Sequence, residues 1–212
     1  LLLQYPNLRT QKSFRTFSFE HNLKLDAANA MEIIGNYDVV ADGTDNFPTR
    51  YLVNDASVLM GKPNVYASIY RFEGQVSVFN WKNKEGILGP NYRDVFPTPP
   101  PPGMVPNCAE GGVLGVLPGI IGSIQASEVI KIITGMGVAL SGRLFLIDAL
   151  DFSNRTLNIK RDPKNPLNGK KPSIKTLIDY DSFCGITGDS NDLTDLTPVE
   201  LDRWLREGHD FQ

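Results

Sequence analysis

Two short stretches carry residues whose types and spacing suit chemistry. In Asp42-Gly43-Thr44-Asp45-Asn46, two carboxylates flank a glycine turn and Arg50 follows four residues after Asn46. A carboxylate in such a turn can ligate Mg2+, which takes one or two carboxylates and completes its shell with phosphate oxygens and water. Asp45 is the candidate ligand, and Arg50 is spaced to reach back to a carboxylate or a phosphate. In Pro106-Asn107-Cys108-Ala109-Glu110-Gly111-Gly112, Cys108 precedes a long apolar stretch. A helix starting there would favour the thiolate through its N-terminal field, which makes Cys108 a candidate nucleophile. Plainer readings stand beside these. Asp45 and Asn46 also suit helix caps, Asp42 a turn former, Arg50 a surface pair and Cys108 a small buried hydrophobe. Neither His21 nor His209 is placed by sequence as a base for the cysteine.

The elements that would hold these residues follow from the apolar pattern. Residues 37–41 read as a buried strand of the parallel type, preceded by a short helix over 26–35 with Asp26 as its cap. Pro48 suits the first turn of a helix whose apolar face is Leu52, Val53, Ala56, Leu59 and Met60, stopped by Gly61. Strands follow at 64–69 and 75–81, with Val76, Val78 and Asn80 on one face. The acidic turn therefore lies at the carboxyl end of a strand, where doubly wound α/β proteins place their ligand crevice. Residues 83–112 form a long connection containing the stiff run Pro99 to Pro102. A buried helix over 113–134 and strands at 144–149 and 156–160 complete the main domain. Residues 164–190 read as a linker, with one short strand possible within 177–186. Thr197-Pro198-Val199-Glu200 is a capping box with proline at the first helical position.

Composition narrows the class. The chain has 212 residues, 21 Lys and Arg against 24 Asp and Glu, and a net charge of -3. No basic stripe with interleaved aromatics is present, so nucleic acid is not an expected partner. Cys108 and Cys184 form no CxxC pair, which points away from a disulfide framework and towards a reducing, cytoplasmic setting. The most apolar stretch, 113–133, is interrupted by Pro118, Gln125, Glu128 and Lys131 and reads as a helix of the fold, not a membrane span. The chain begins with Leu1 and ends soon after a helix pattern, as expected of a fragment.

The segments from Tyr37 to Arg50, from Arg71 to Gln75 and from Asn107 to Gly115 together resemble the MoeB/ThiF adenylyltransferases, relatives of the ubiquitin-activating enzymes, in order and spacing. The resemblance spans roughly residues 32 to 163. It implies a Rossmann-like, doubly wound α/β fold with a mixed sheet. It also implies ATP-dependent adenylation of the C-terminal glycine of a ubiquitin-like sulfur-carrier protein, and a homodimer in the full-length enzyme. Asp45 is then the metal and phosphate ligand through Mg2+ and ATP, Asn46 and Arg50 support the nucleotide turn, and Cys108 stands where longer members carry a sulfur-transfer or thioester cysteine. The stretch from Asp195 to Leu201 resembles the opening of a rhodanese-like domain. The organisation expected is thus 1–24 unassigned, 25–163 the later part of the adenylating domain, 164–190 linker and 191–212 the start of a rhodanese-like domain.

Departures from the family pattern matter. Zinc-binding relatives have two CxxC pairs, whereas the corresponding positions here are Asn91, Asp94, Asp181 and Cys184. Without soft thiolate ligands no zinc is expected. The glycine-rich phosphate loop and its cations should precede residue 25 and are absent from these residues, so the chain by itself is expected not to adenylate. Two other readings are a binding module that docks the carrier without turnover, and half of an NAD-dependent oxidoreductase.

Overall fold

The computed structural model describes residues 2–3, 19–101, 104, 111–186, 203–204 and 206–207. Its strands are β1 (Leu2–Leu3), β2 (Val39–Asp42), β3 (Asn64–Tyr70), β4 (Glu73–Phe79), β5 (Arg143–Asp148) and β6 (Asn154–Asn158). Its helices are α1 (Ala30–Gly35), α2 (Phe47–Leu59), α3 (Tyr92–Val95), α4 (Leu117–Thr134) and α5 (Tyr180–Phe183). The six strands form one sheet in chain order. Only β2 and β3 pair in parallel, with Asp42 opposite Tyr66, while the pairs from β3 to β6 and the β1–β2 pair are antiparallel. The parallel pair needs a crossover, and α2 supplies it.

Adjacent residues in each strand point to opposite faces of the sheet, and both faces are covered. Val40, Tyr66, Phe79 and Leu144 pack on α1 and α2 together with Tyr92, Tyr180 and Cys184. Their neighbours Val39, Val65 and Val78 pack on Val129 and Ile132 of α4, and Ala67 and Val76 on Leu117 and Ile121. That two-sided burial is why the strands read as continuous apolar runs. The helix lies close on the sheet at Gly74, where a Cβ would come within 2.2 Å of Ile121 Cδ1. No helix among the described residues is long and apolar enough to cross a membrane.

Several elements differ from the sequence expectation, each for a local reason. Asp26 caps a turn ahead of α1, its carboxylate accepting from the amides of Ala28 and Asn29 at 2.9 and 3.1 Å, so the helix proper opens at Ala30. Helix α2 has no solvent face over residues 51–57; Asn54, Asp55 and Ser57 are buried with the apolar residues. Asn80 lies past the end of β4 at φ 55°, and its amide donates to the carbonyls of Ser57 and Lys62, away from the face of Val76 and Val78. Residues before Leu117 are held out of α4 because Val113 bridges to Arg71. The helix is buried only on its inner side: Val116 and Ile130 are 61% and 52% exposed. Within 177–186 the chain forms helix α5, not a strand, with Asp179 as its cap.

The residues read as a linker pack firmly as far as 186. Asn165, Leu167, Tyr180 and Cys184 are buried. Asn91 and Asp94 form a capping box on α3. Asp94 also accepts from the amide of Asp162 at 2.8 Å and from Asn165 Nδ2 at 2.7 Å, while Asn91 Nδ2 donates to Asn168 at 3.1 Å. Asn91 and Asp94 are therefore engaged in hydrogen bonds that hold this segment. Cys184 sits in the hydrophobic core, where burial pushes its thiol pKa up to about 11. Cys184 is accordingly expected to react with iodoacetamide at pH 8 on the order of 100-fold more slowly in the native chain than in urea, because the thiolate is the reactive form. Peptide mapping of the alkylated chain measures this, and comparable rates in the two states would contradict the burial.

Candidate functional site

The acidic turn lies where β2 ends and α2 begins, and four sets of hydrogen bonds fix it. Asp42 is 3% exposed, and its Oδ1 accepts from the Thr44 amide at 3.0 Å and the Thr44 hydroxyl at 2.8 Å. Arg50 Nε donates to the Thr44 carbonyl at 3.1 Å, with its guanidinium near the rings of Phe47 and Tyr66. Gln125, reaching across from α4, donates through Nε2 to the carbonyls of Asp42 and Val65, each at 2.8 Å. Asn46 is the N-cap of α2, its Oδ1 accepting from the Thr49 amide at 2.9 Å.

Asp45 is different from its neighbours. It is exposed, and its carboxylate accepts a 3.2 Å hydrogen bond from Asn46 Nδ2. It borders a cavity of about 290 Å³ whose walls include Thr44, Arg50, Ser68, Ile121 and Gln125. A larger cavity, about 410 Å³, opens on the other flank of α2 among Leu25, Pro48, Thr49 and Ile178. The smaller one is the better candidate because an exposed carboxylate, a buried guanidinium and a side-chain amide converge there, and such polar groups are what orient a ligand. Arg50 does not project outward as a free cation; it is 9% exposed and braces the turn from within. No cluster of three or more metal-ligating side chains occurs among the described residues, so a cation here would take Asp45 and complete its shell from ligand and water. Cys108 lies outside the described residues, so its relation to Asp45 stays an expectation.

Burial raises the Asp42 pKa above its ordinary value, against the hydrogen bonds from Thr44 and the charge of Arg50. The charged form thus carries a desolvation penalty in the fold that vanishes once the group protonates. Relative to the wild type, Asp42→Asn is expected to be most favoured at neutral pH, and its standing should fall as pH drops through the raised pKa. Urea denaturation of both proteins between pH 7 and pH 4 measures the difference; a gap that is constant or widens on acidification would contradict it.

Sequence reasoning missed Gln125 as part of the site. It stands on the inner face of α4, in helical register between Ile121 and Val129, both buried. A polar side chain in the apolar stripe of a helix is a signal that it bonds to something beneath. Glu128 shows the same signal: it is buried, paired with Lys131, and accepts from the Leu140 amide at 2.8 Å.

A mixed sheet covered on both faces, with a crevice at the carboxyl end of its parallel pair, defines a Rossmann-like α/β protein. Residues 11–168 match the ThiF family model, and the chain belongs to that family. The match opens inside the stretch 1–24, to which the sequence alone gave no assignment. The chain is 52% identical over 192 residues to a probable adenylyltransferase/sulfurtransferase MoeZ of Mycobacterium tuberculosis, covering 89% of this chain and 47% of the relative. It is also 52% identical to a sulfur carrier protein adenylyltransferase of Thermus thermophilus, covering 77% of this chain and 60% of the relative. The chain thus spans about half the length of these relatives. Among solved structures, E. coli MccB with AMPCPP and MccA superposes with a TM-score of 0.54 at 14% identity, covering 69% of this chain and 44% of that one. MccB with ATP gives 0.52 at 14% identity, over 69% and 44%. These likenesses establish a shared fold.

Proposed function

We propose that the chain provides the acidic-turn half of an enzyme that uses ATP to adenylate the C-terminal glycine of a ubiquitin-like sulfur-carrier protein, in preparation for sulfur transfer. The observation that carries this reading is the exposed carboxylate of Asp45, held by a braced turn at the crevice of a ThiF-family domain. The names of the relatives support the substrate class.

In the reaction, a carboxylate oxygen of the carrier's terminal glycine forms a bond to the α-phosphorus of ATP, the bond from that phosphorus to the bridging oxygen breaks, and pyrophosphate leaves. Asp45 would hold the Mg2+ that accompanies ATP, because its carboxylate is exposed and, among the described residues, is engaged only by the 3.2 Å hydrogen bond from Asn46. When bound, the cation would offset the charge that builds on the leaving pyrophosphate. Asn46 caps α2 and steadies Asp45, and Arg50 fixes the turn from behind while adding positive potential. Cys108 is assigned to the later sulfur-transfer step. These residues contain no glycine-rich phosphate loop, so we assign that part to chain beyond them and expect the 212 residues alone not to turn over.

The finer reading also includes a homodimer, a cytoplasmic setting and a rhodanese-like domain opening within 191–212. A second copy would cover exposed apolar side chains on α4 and just beyond its ends, where Val116, Ile130, Met136 and Val138 are 61%, 52%, 64% and 74% exposed. The test of the function is ATP–pyrophosphate exchange by a chain that also supplies the glycine-rich loop. Exchange should depend on adding a carrier with an intact terminal glycine; carrier binding without exchange would favour a docking module instead.

A further inference from the structure

We propose that Gln125 is the positioning residue for the acidic turn, setting from the opposite face of the sheet where the Asp45 carboxylate lies. The proposal deepens the adenylation reading and rests on it for its kinetic consequences. The two N–H groups of one amide are aimed at the carbonyls of Asp42 and Val65, both at 2.8 Å, where the parallel strands β2 and β3 end their pairing. Asp42 is the last residue of β2 and Val65 lies opposite its neighbour Ala41 in the parallel ladder, so one amide fastens both strands where their pairing ends.

Asp42 is gripped twice as a result. Its carbonyl is held by Gln125 and its carboxylate by Thr44, whose own carbonyl is held by Arg50. Thr44 and Arg50 are local to the turn and move with α2. Gln125 comes from a helix 83 residues away in sequence and ties the turn to the other layer of the fold. It also lines the cavity itself, so its loss would both loosen the turn and change the wall. A supporting residue of this kind typically changes metal affinity or activity by roughly 10–100-fold.

The test uses Gln125→Met, which keeps length and helix propensity but removes both donors. In the 212-residue chain, the backbone amide resonances of Gly43, Thr44, Asp45 and Asn46 should shift while those of β5 and β6 do not. In a chain that also supplies the glycine-rich loop, pyrophosphate exchange should fall roughly 10–100-fold and the Mg2+ concentration for half-maximal rate should rise. Added to Asp45→Ala, Gln125→Met should have little further effect, since it acts through that carboxylate. Turn resonances that stay in place, or rate losses that multiply in the double variant, would overturn the proposal. If Gln125→Met does not fold, Gln125→Asn decides, because its amide is one methylene too short to reach both carbonyls. Should the wild type show no exchange at all, the adenylation reading fails, and the resonance shifts still decide the role of Gln125.

Discussion

Asp55→Ala is expected to lower the free energy of unfolding by about 3–5 kcal/mol, a large share of the roughly 5–15 kcal/mol typical of a domain. Asp55 is 0% exposed and Arg93 is 2%. Their bidentate pair has Nε donating to Oδ1 at 2.9 Å and Nη2 donating to Oδ2 at 2.7 Å. Tyr180 donates a third hydrogen bond to the carboxylate at 3.0 Å and Asn54 a fourth at 3.0 Å. The guanidinium lies against the rings of both Tyr51 and Phe183, at 4.8 and 4.7 Å from their centroids. Removing the carboxylate leaves that cation buried with nothing to balance it. Replacing both partners, as in Asp55→Leu with Arg93→Met, should be milder than either change alone, because no charge then remains to be solvated. Urea denaturation reads both results. A loss under about 1 kcal/mol for Asp55→Ala would mean that water reaches the pair.

The second large effect separates function from stability. Asp45→Ala, in a chain supplying the glycine-rich loop, is expected to reduce pyrophosphate exchange about 1,000-fold or more, equivalent to about 4 kcal/mol of transition-state stabilisation. Because Asp45 is exposed, its unfolding free energy should move by no more than about 0.5 kcal/mol. Asn46→Ala should behave in the opposite sense. Loss of the α2 N-cap costs about 1 kcal/mol of stability, with a smaller effect on rate. Exchange assays and denaturation curves on the same preparations provide the comparison.

Much of the fold was legible because its signals are local. The apolar run ending at Ala41, the glycine turn, and Pro48 at the start of α2 identify the strand–turn–helix unit, and the structure places Asp45 at its crevice. The plainer reading of the turn holds for Asn46, which is the cap, and for Asp42, which forms the turn, but the cap hydrogen bond does not fall to Asp45. What could not be read depends on contacts distant in sequence. The burial of Asp55 is determined by Arg93 and Tyr180, 38 and 125 residues away. Helix α2 therefore lacks the polar face that its pattern suggested. The packing of residues 162–168 rests on Asn91 and Asp94, so a segment rich in Pro, Asn and Lys looks like a linker until its amides are counted. Gln125 was hidden for the same reason: its partners lie on two strands that only the folded sheet brings together.

The central claim concerns what Asp45 does, and the mass of the carrier is its most direct measure. Incubated with ATP, Mg2+ and a chain supplying the glycine-rich loop, a carrier ending in glycine should gain the mass of an AMP group at its terminus, and Asp45→Ala should yield none above background. An adduct formed equally fast by the variant would contradict the assignment of the acidic turn as the catalytic site.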